Sequence, residues 1–93
     1  MIRSFRDAET ERIFARERSK KFGIDVQRAA LRKLAILHAA TRIDDLRIPP
    51  ANRLEKLRGK RAGQYSIRIN DQWRLCFRWE GGDAWEVEIT DYQ

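Results

Sequence analysis

Residues 57–77 read LRGKRAGQYSIRINDQWRLCF. Within this stretch residues 65–69 and the run from Trp73 to Trp79 alternate apolar with polar side chains, and Asn70-Asp71-Gln72 between them is a turn-forming tripeptide. Period-two alternation on both sides of such a turn predicts an antiparallel hairpin. Downstream, Glu80-Gly81-Gly82-Asp83 offers a second turn into a third alternating run, residues 85–89, so the C-terminal half reads as a meander of strands. Upstream, Gly59 and Gly63 bracket a basic loop.

Alternation also assigns faces. Trp73, Leu75, Phe77 and Trp79 share one side, with Ile67 and Ile69 from the preceding strand and Trp85, Val87 and Ile89 from the following one. This apolar side is expected to pack under helices, which places all three tryptophans in the core rather than against a ligand. Ser66, Arg68, Asn70, Arg74, Cys76, Arg78, Glu86, Glu88 and Thr90 fall on the opposite, open side.

Helices come from the N-terminal half. After a brief strand at residues 2–5, Asp7 reads as an N-cap, Glu9 and Glu11 occupy a first turn, and Arg16, Arg18 and Lys20 suit a C-terminal end, so charge order predicts a helix over residues 8–20 stopped by Gly23. Asp25 is a candidate cap for a second helix to about Ala40, in which Val26, Ala30, Leu34 and Leu37 recur at helical steps beside Leu31 and Ile36. Pro49-Pro50 forces an extended connection, and residues 52–57 are expected to form at most a short helical turn. Two helices followed by consecutive strands predict a single α+β domain over residues 1–93, with both helices on one face of an antiparallel sheet of about four strands, the N-terminal strand joining an edge.

Composition narrows the partners. Residues 53–78 carry eight Lys/Arg (Arg53, Lys56, Arg58, Lys60, Arg61, Arg68, Arg74, Arg78) against Glu55 and Asp71, an excess that equals the whole chain's net charge of +6. Charge so concentrated on a chain with 42% apolar residues points to a polyanion, nucleic acid first. A lone cysteine, Cys76, excludes an intramolecular disulfide and a thiolate zinc cluster, and fits a reducing cytoplasm. The N-terminus lacks the apolar run of a signal peptide, and nowhere do about 18 apolar residues follow one another as a membrane span requires. His38 has no ligand partners at metal spacing, and Gly59-Lys60-Arg61-Ala62-Gly63 lacks the spacing of a phosphate-binding loop of the Walker type. No metal and no small-molecule cofactor is expected.

Two uses of the basic residues stay open. Arg68 and Arg78 can pair across strands with Glu86 and Glu88, an ordinary arrangement on an open sheet. Arg58, Lys60, Arg61 and Arg74 outnumber the nearby acids, and bidentate guanidinium contact with phosphate is the natural use of that excess.

Residues 52–59 (NRLEKLRG), residues 61–77 (RAGQYSIRINDQWRLCF), the ending VEITDYQ and the opening IRSF together resemble the HigB-type toxins of the RelE superfamily over essentially the whole chain. The resemblance implies a RelE-like fold, cleavage of messenger RNA in the ribosomal A site, and a helix-turn-helix antitoxin (HigA-type) as partner. On the family pattern the basic residue before glycine falls on Arg58, the strand arginine after tryptophan on Arg74, and the C-terminal pair on Asp91 and Tyr92, giving Arg58, Arg74, Asp91, Tyr92 and Gln93 as catalytic candidates. Lys56, Lys60, Arg61 and Arg68 are candidates for RNA phosphate contact. One position departs: the family commonly ends Asp-Tyr-His, whereas this chain ends Asp91-Tyr92-Gln93. An amide cannot exchange protons near neutral pH, so a slow metal-independent endoribonuclease is expected, with a catalytically impaired module that binds antitoxin and ribosome as the alternative. A general nucleic-acid binder would need stacking aromatics on the open face, where only Tyr65 or Tyr92 qualify in this reading. Arg16, Arg18, Lys20 and Lys21 are expected to meet ribosomal RNA backbone.

Overall fold

The structure, a computed structural model, describes residues 1–91; Tyr92 and Gln93 lie outside the described residues. Helices α1 (Ala8–Phe14) and α2 (Ile24–Ala39) lead into two 3-10 turns, Ile43–Arg47 and Pro50–Asn52. Strand β1 (Glu55–Lys56), a third 3-10 turn at Gly59–Arg61, and strands β2 (Gln64–Arg68), β3 (Trp73–Glu80) and β4 (Asp83–Asp91) complete the chain. The strands form one sheet in the order β1-β2-β3-β4, antiparallel at every pairing.

The α+β architecture and the strand count match the expectation, but the fourth strand is β1 rather than residues 2–5. Residues 52–57 were expected to give a helical turn; instead Glu55 pairs with Ser66 and Lys56 with Tyr65. The N-terminal segment makes only isolated parallel bridges, Ile2 to Ala84 and Phe5 to Val87, along the free edge of β4. There it covers an edge that would otherwise present unpaired backbone groups.

Helix α1 begins as read, with the Asp7 carboxylate accepting from the Thr10 amide at 3.4 Å. It ends at Phe14, six residues before the expected Lys20, because Arg16 turns left-handed at φ 63°. Side chains then hold the connection in place of helical bonds. Gln27 accepts from the Ser19 amide and donates to the carbonyls of Ser19 and Phe22, while the Ser19 hydroxyl donates to Glu9 at 2.7 Å. Arg16, Arg18, Lys20 and Lys21 therefore sit on a connecting loop, not on a helix. Gly23, not Asp25, is the N-cap of α2, and Asp25 contributes only its charge to the first turn.

The core lies between α2 and the sheet, where Leu34, Leu37, Leu46, Ile67, Leu75, Phe77 and Val87 are fully buried. Trp73 and Trp79 pack against this cluster, Trp73 edge-on to Phe22 with ring centroids 5.1 Å apart. His38 is satisfied structurally, its Nδ1 accepting from the Ile2 amide at 3.1 Å. Asn52, fully buried, donates to the carbonyls of Leu46 and Ile48 and accepts from Lys33 at 2.6 Å, tying the 3-10 turns to α2.

Trp85 departs from the expected core position. Between Cys76 and Arg78 the β3–β4 register slips: Cys76 faces Glu88, but Arg78 faces Trp85, so β4 carries one extra residue. Glu86 absorbs the bulge at φ 54°, and the Ser4 hydroxyl accepts from its amide at 2.8 Å. Ala84, fully buried, takes the inward place, and Trp85 turns to the open side.

Candidate nucleic-acid interface

The antiparallel register lays the open-face side chains in three rows across the sheet. Gln64, Arg78 and Trp85 form the first; Glu55, Ser66, Cys76 and Glu88 the second; Arg68, Arg74 and Thr90 the third. The basic loop borders the first row, because the Leu57 amide donates to the Gln64 carbonyl at 2.9 Å and Arg58 follows as N-cap of the Gly59–Arg61 turn. The C-terminal end of β4 borders the third.

Glycine gives that loop its shape. Gly59 and Gly63 stand at φ 66° and 89°, and a Cβ at either would meet nothing within 4 Å. Backbone conformation, not space, thus selects glycine at both ends.

The cations divide sharply once their partners are counted. Arg58, Lys56 and Lys60 are exposed and make no ion pair or side-chain hydrogen bond among the described residues. Arg61 differs from the expectation: its guanidinium reaches Gln64 at 3.1 Å and Glu88 at 3.4 Å. Arg74 differs more strongly. It is 5% exposed, donates from Nε to the Ser66 hydroxyl at 2.8 Å and from a terminal nitrogen to the Arg53 carbonyl at 2.5 Å, and lies 3.9 Å from Glu55. The excess assigned to four residues therefore narrows to Arg58 and Lys60, with Lys56 beside them.

The cross-strand pairing reading holds for Arg78, which meets Glu86 at 3.8 Å as well as its own strand's Glu80. Arg68 instead pairs with the exposed Asp71 of the hairpin turn, and Glu88 is claimed by Arg61 and Arg6. Asp91 stands opposite Trp73 rather than in the Arg74 row, and its carboxylate accepts from Gln72 at 3.1 Å. Tyr92 and Gln93 lie outside the described residues.

Burial pushes the Cys76 thiol above its ordinary value, with the neighbouring Thr90 hydroxyl and then the Arg61 guanidinium acting the other way. The buried Thr90 hydroxyl makes no hydrogen bond among the described residues. A protonated, buried thiol is a poor nucleophile. Among the described residues no three His, Cys, Asp or Glu side chains converge as a metal-binding set, and no helix is long and apolar enough to cross a membrane.

A family model described as the RelE-like toxin HigB of type II toxin-antitoxin systems matches residues 3–92. The chain belongs to this HigB-like toxin family. Toxin HigB-1 of Vibrio cholerae serotype O1 is 42% identical over 94 residues, covering 100% of this chain and 99% of the relative. Endoribonuclease HigB of Proteus vulgaris is 34% identical, with 99% of each chain covered. A solved chain of the YoeB-YefM complex from Staphylococcus aureus superposes with a TM-score of 0.56 at 16% identity, covering 100% of this chain and 98% of that one, a likeness of fold.

Within this HigB-like toxin, the resemblance-derived positions are not all brought together. Arg58 borders the first row, Arg74 is interior to the third, and Asp91 points away from both. Sequence reasoning missed Trp85. The one available signal was the spacing of the apolar residues in β4, where Ala84 and Val87 are three apart and Val87 and Ile89 two.

Proposed function

We propose that this HigB-like toxin is an endoribonuclease that cleaves messenger RNA on the ribosome, through attack of a ribose 2'-hydroxyl on the adjacent phosphate that breaks the bond to the next nucleotide's 5'-oxygen, which leaves as a hydroxyl while a 2',3'-cyclic phosphate remains. The observation that carries this reading is the group of exposed cations, Arg58 and Lys60 with Lys56, that are unpaired among the described residues at the edge of an open sheet face in a family of type II toxins. The printed name of the Proteus vulgaris relative supports the reaction class. As in any type II system, the partner is an antitoxin protein; a helix-turn-helix antitoxin acting in the cytoplasm is the specific reading.

Such cleavage requires alignment of the 2'-oxygen with the phosphorus and neutralisation of the charge that develops on the phosphorane. Arg58 supplies a bidentate donor for the equatorial oxygens, and Lys60 and Lys56 hold flanking phosphates as point charges. Arg68 reaches the open face and exchanges its exposed partner Asp71 for phosphate at small cost. Arg74 acts as a positioning residue: by binding both Ser66 and the Arg53 carbonyl it fixes β1, and so the start of the basic loop, against β2. Tyr92 and Gln93, with Asp91, form the C-terminal group to which proton transfer is assigned by resemblance. Gln93 cannot take part as an acid or base, and loss of one such group typically slows a reaction about 10²- to 10⁴-fold.

The Gln93 departure also supports a second reading, a toxin-like module that binds antitoxin and ribosome without cleavage. Induced expression without an antitoxin separates the two. A nuclease arrests growth and Arg58→Ala relieves the arrest, whereas a binding module gives no arrest or one indifferent to Arg58.

A further inference from the structure

Among the described residues, Trp85 is a large aromatic that the fold places outside its core. Trp73 and Trp79 join the apolar cluster, Trp85 does not, and no aromatic ring packs against it among the described residues. It stands partly exposed on the open face, with the Arg78 guanidinium over one side of the indole, 5.9 Å from the ring centroid. The indole N–H donates to the Glu80 carbonyl at 3.2 Å, which fixes the ring's orientation. The backbone behind it is unusual. A non-glycine residue at φ 54°, Glu86, carries the bulge that re-aims Trp85, and Ser4 satisfies the bulged amide. Left-handed conformations at non-glycine residues cost free energy and persist where the surroundings enforce them, and bulges commonly re-aim side chains beside functional sites.

We propose that Trp85, backed by Arg78, is a stacking platform for an unpaired nucleobase of the RNA held on the open face. This rests on the RNA-binding part of the reading above. Charge distribution favours a base over a phosphate at this spot, because Glu80 and Glu86 already neutralise Arg78. Cations that are unpaired among the described residues lie across the same row: Gln64 pairs with Arg78, and the loop carrying Arg58 and Lys60 begins beside Gln64. Two strand spacings, about 10 Å, separate β4 from β2. A strand whose phosphates lie along the loop thus brings a neighbouring base over the indole. A ring pinned by its own hydrogen bond loses little conformational freedom on stacking.

The test compares the full chain with Trp85→Phe and Trp85→Leu, read by fluorescence anisotropy of a labelled 2'-O-methyl single-stranded oligonucleotide that resists cleavage and of its abasic counterpart. Trp85→Leu is expected to weaken binding of the base-containing strand about 5- to 150-fold. Trp85→Phe is expected to recover most of the loss, and all three proteins to bind the abasic strand alike. Equal affinity of wild type and Trp85→Leu for the base-containing strand, or an equal loss on both strands with a lowered Tm, overturns the platform and leaves Trp85 as a cap on the hairpin. Affinity for ribosomes with and without bound messenger identifies the source. A loss only on programmed ribosomes assigns the base to the messenger, a loss on both to ribosomal RNA, and no loss on either overturns the proposal where the free oligonucleotide does not bind. Base-dependent binding by a protein that never cleaves RNA would sink the nuclease reading and leave the platform standing.

Discussion

Two arginines that resemble each other in the sequence have opposite physical situations. Arg58 is exposed with no partner among the described residues, so Arg58→Ala is expected to change stability by less than about 0.5 kcal/mol. The same change should lower cleavage about 10²- to 10³-fold, the usual cost of removing one donor from a developing oxyanion. Arg74→Ala leaves the Ser66 hydroxyl and the Arg53 carbonyl unpaired and Arg53 unsupported at φ 45°. That change is expected to destabilise by about 2–4 kcal/mol and to lower Tm by more than about 10 °C. Circular dichroism melts of both variants check the contrast. Loss of toxicity in Arg74→Ala alone therefore reports folding before chemistry. Alternation located Arg74 on the open face but could not reveal that the face is closed there, since the Arg53 carbonyl reaches it only through the unforeseen β1. Arg61 was misread for a similar reason: Glu88 lies 27 positions away in the chain and meets it only in the folded sheet.

Among the elements, the strong periodic signals were legible. The α2 stripe of Ala30, Leu34 and Leu37 is fully buried as read, and β2, β3 and β4 fall within a few residues of their predicted bounds. Elements held by side chains were not. The connection after α1 depends on Gln27 and Ser19, and β1 has only two residues, too few for alternation to register. Asn52→Ala removes the bonds that tie the 3-10 turns to α2, and urea unfolding should show a loss of about 1–3 kcal/mol. The N-terminal segment is fastened to β4 by Asp83, which meets the Met1 ammonium and Arg3, each at 3.2 Å. The hydrogen bond from Arg3 and the adjacent ammonium hold the Asp83 carboxyl below its ordinary 3.8. Because the folded-state value is the lower one, this stabilisation is complete well above pH 3.8 and is lost as pH falls through the depressed value. Asp83→Asn should accordingly flatten the acid limb of the stability profile while leaving its shape near neutral pH unchanged, as thermal melts between pH 2 and 7 will read.

Across the whole molecule, which carries a net charge of +6, the cations near the sheet divide into Arg61, Arg68, Arg74 and Arg78, which meet carboxylates, and Lys56, Arg58 and Lys60, which make no ion pair among the described residues. The sequence located this cationic stretch correctly, because charge density needs no tertiary information; how much of it was free depended on pairs formed by folding. Binding to ribosomes should weaken with salt, and Lys60→Ala should reduce the slope of log affinity against log salt by roughly 0.7–0.9. Arg61→Ala should reduce it less, since Arg61 must leave Glu88 to meet a phosphate. Equal slope changes for the two variants would contradict the division between paired and unpaired cations. The α+β class was equally legible, from two helical segments followed by a meander, and family membership followed from ordered motifs over the whole length. Everything proposed for the open face turns on whether this chain cuts messenger RNA on the ribosome. The most direct test is the initial rate of cleavage of a defined messenger, with and without programmed ribosomes, by wild type, Arg58→Ala and Gln93→His. Ribosome-dependent cleavage by wild type is expected, with a rate about 10²- to 10³-fold lower for Arg58→Ala and a faster rate for Gln93→His. No cleavage by wild type, or cleavage indifferent to Arg58, would contradict this expectation.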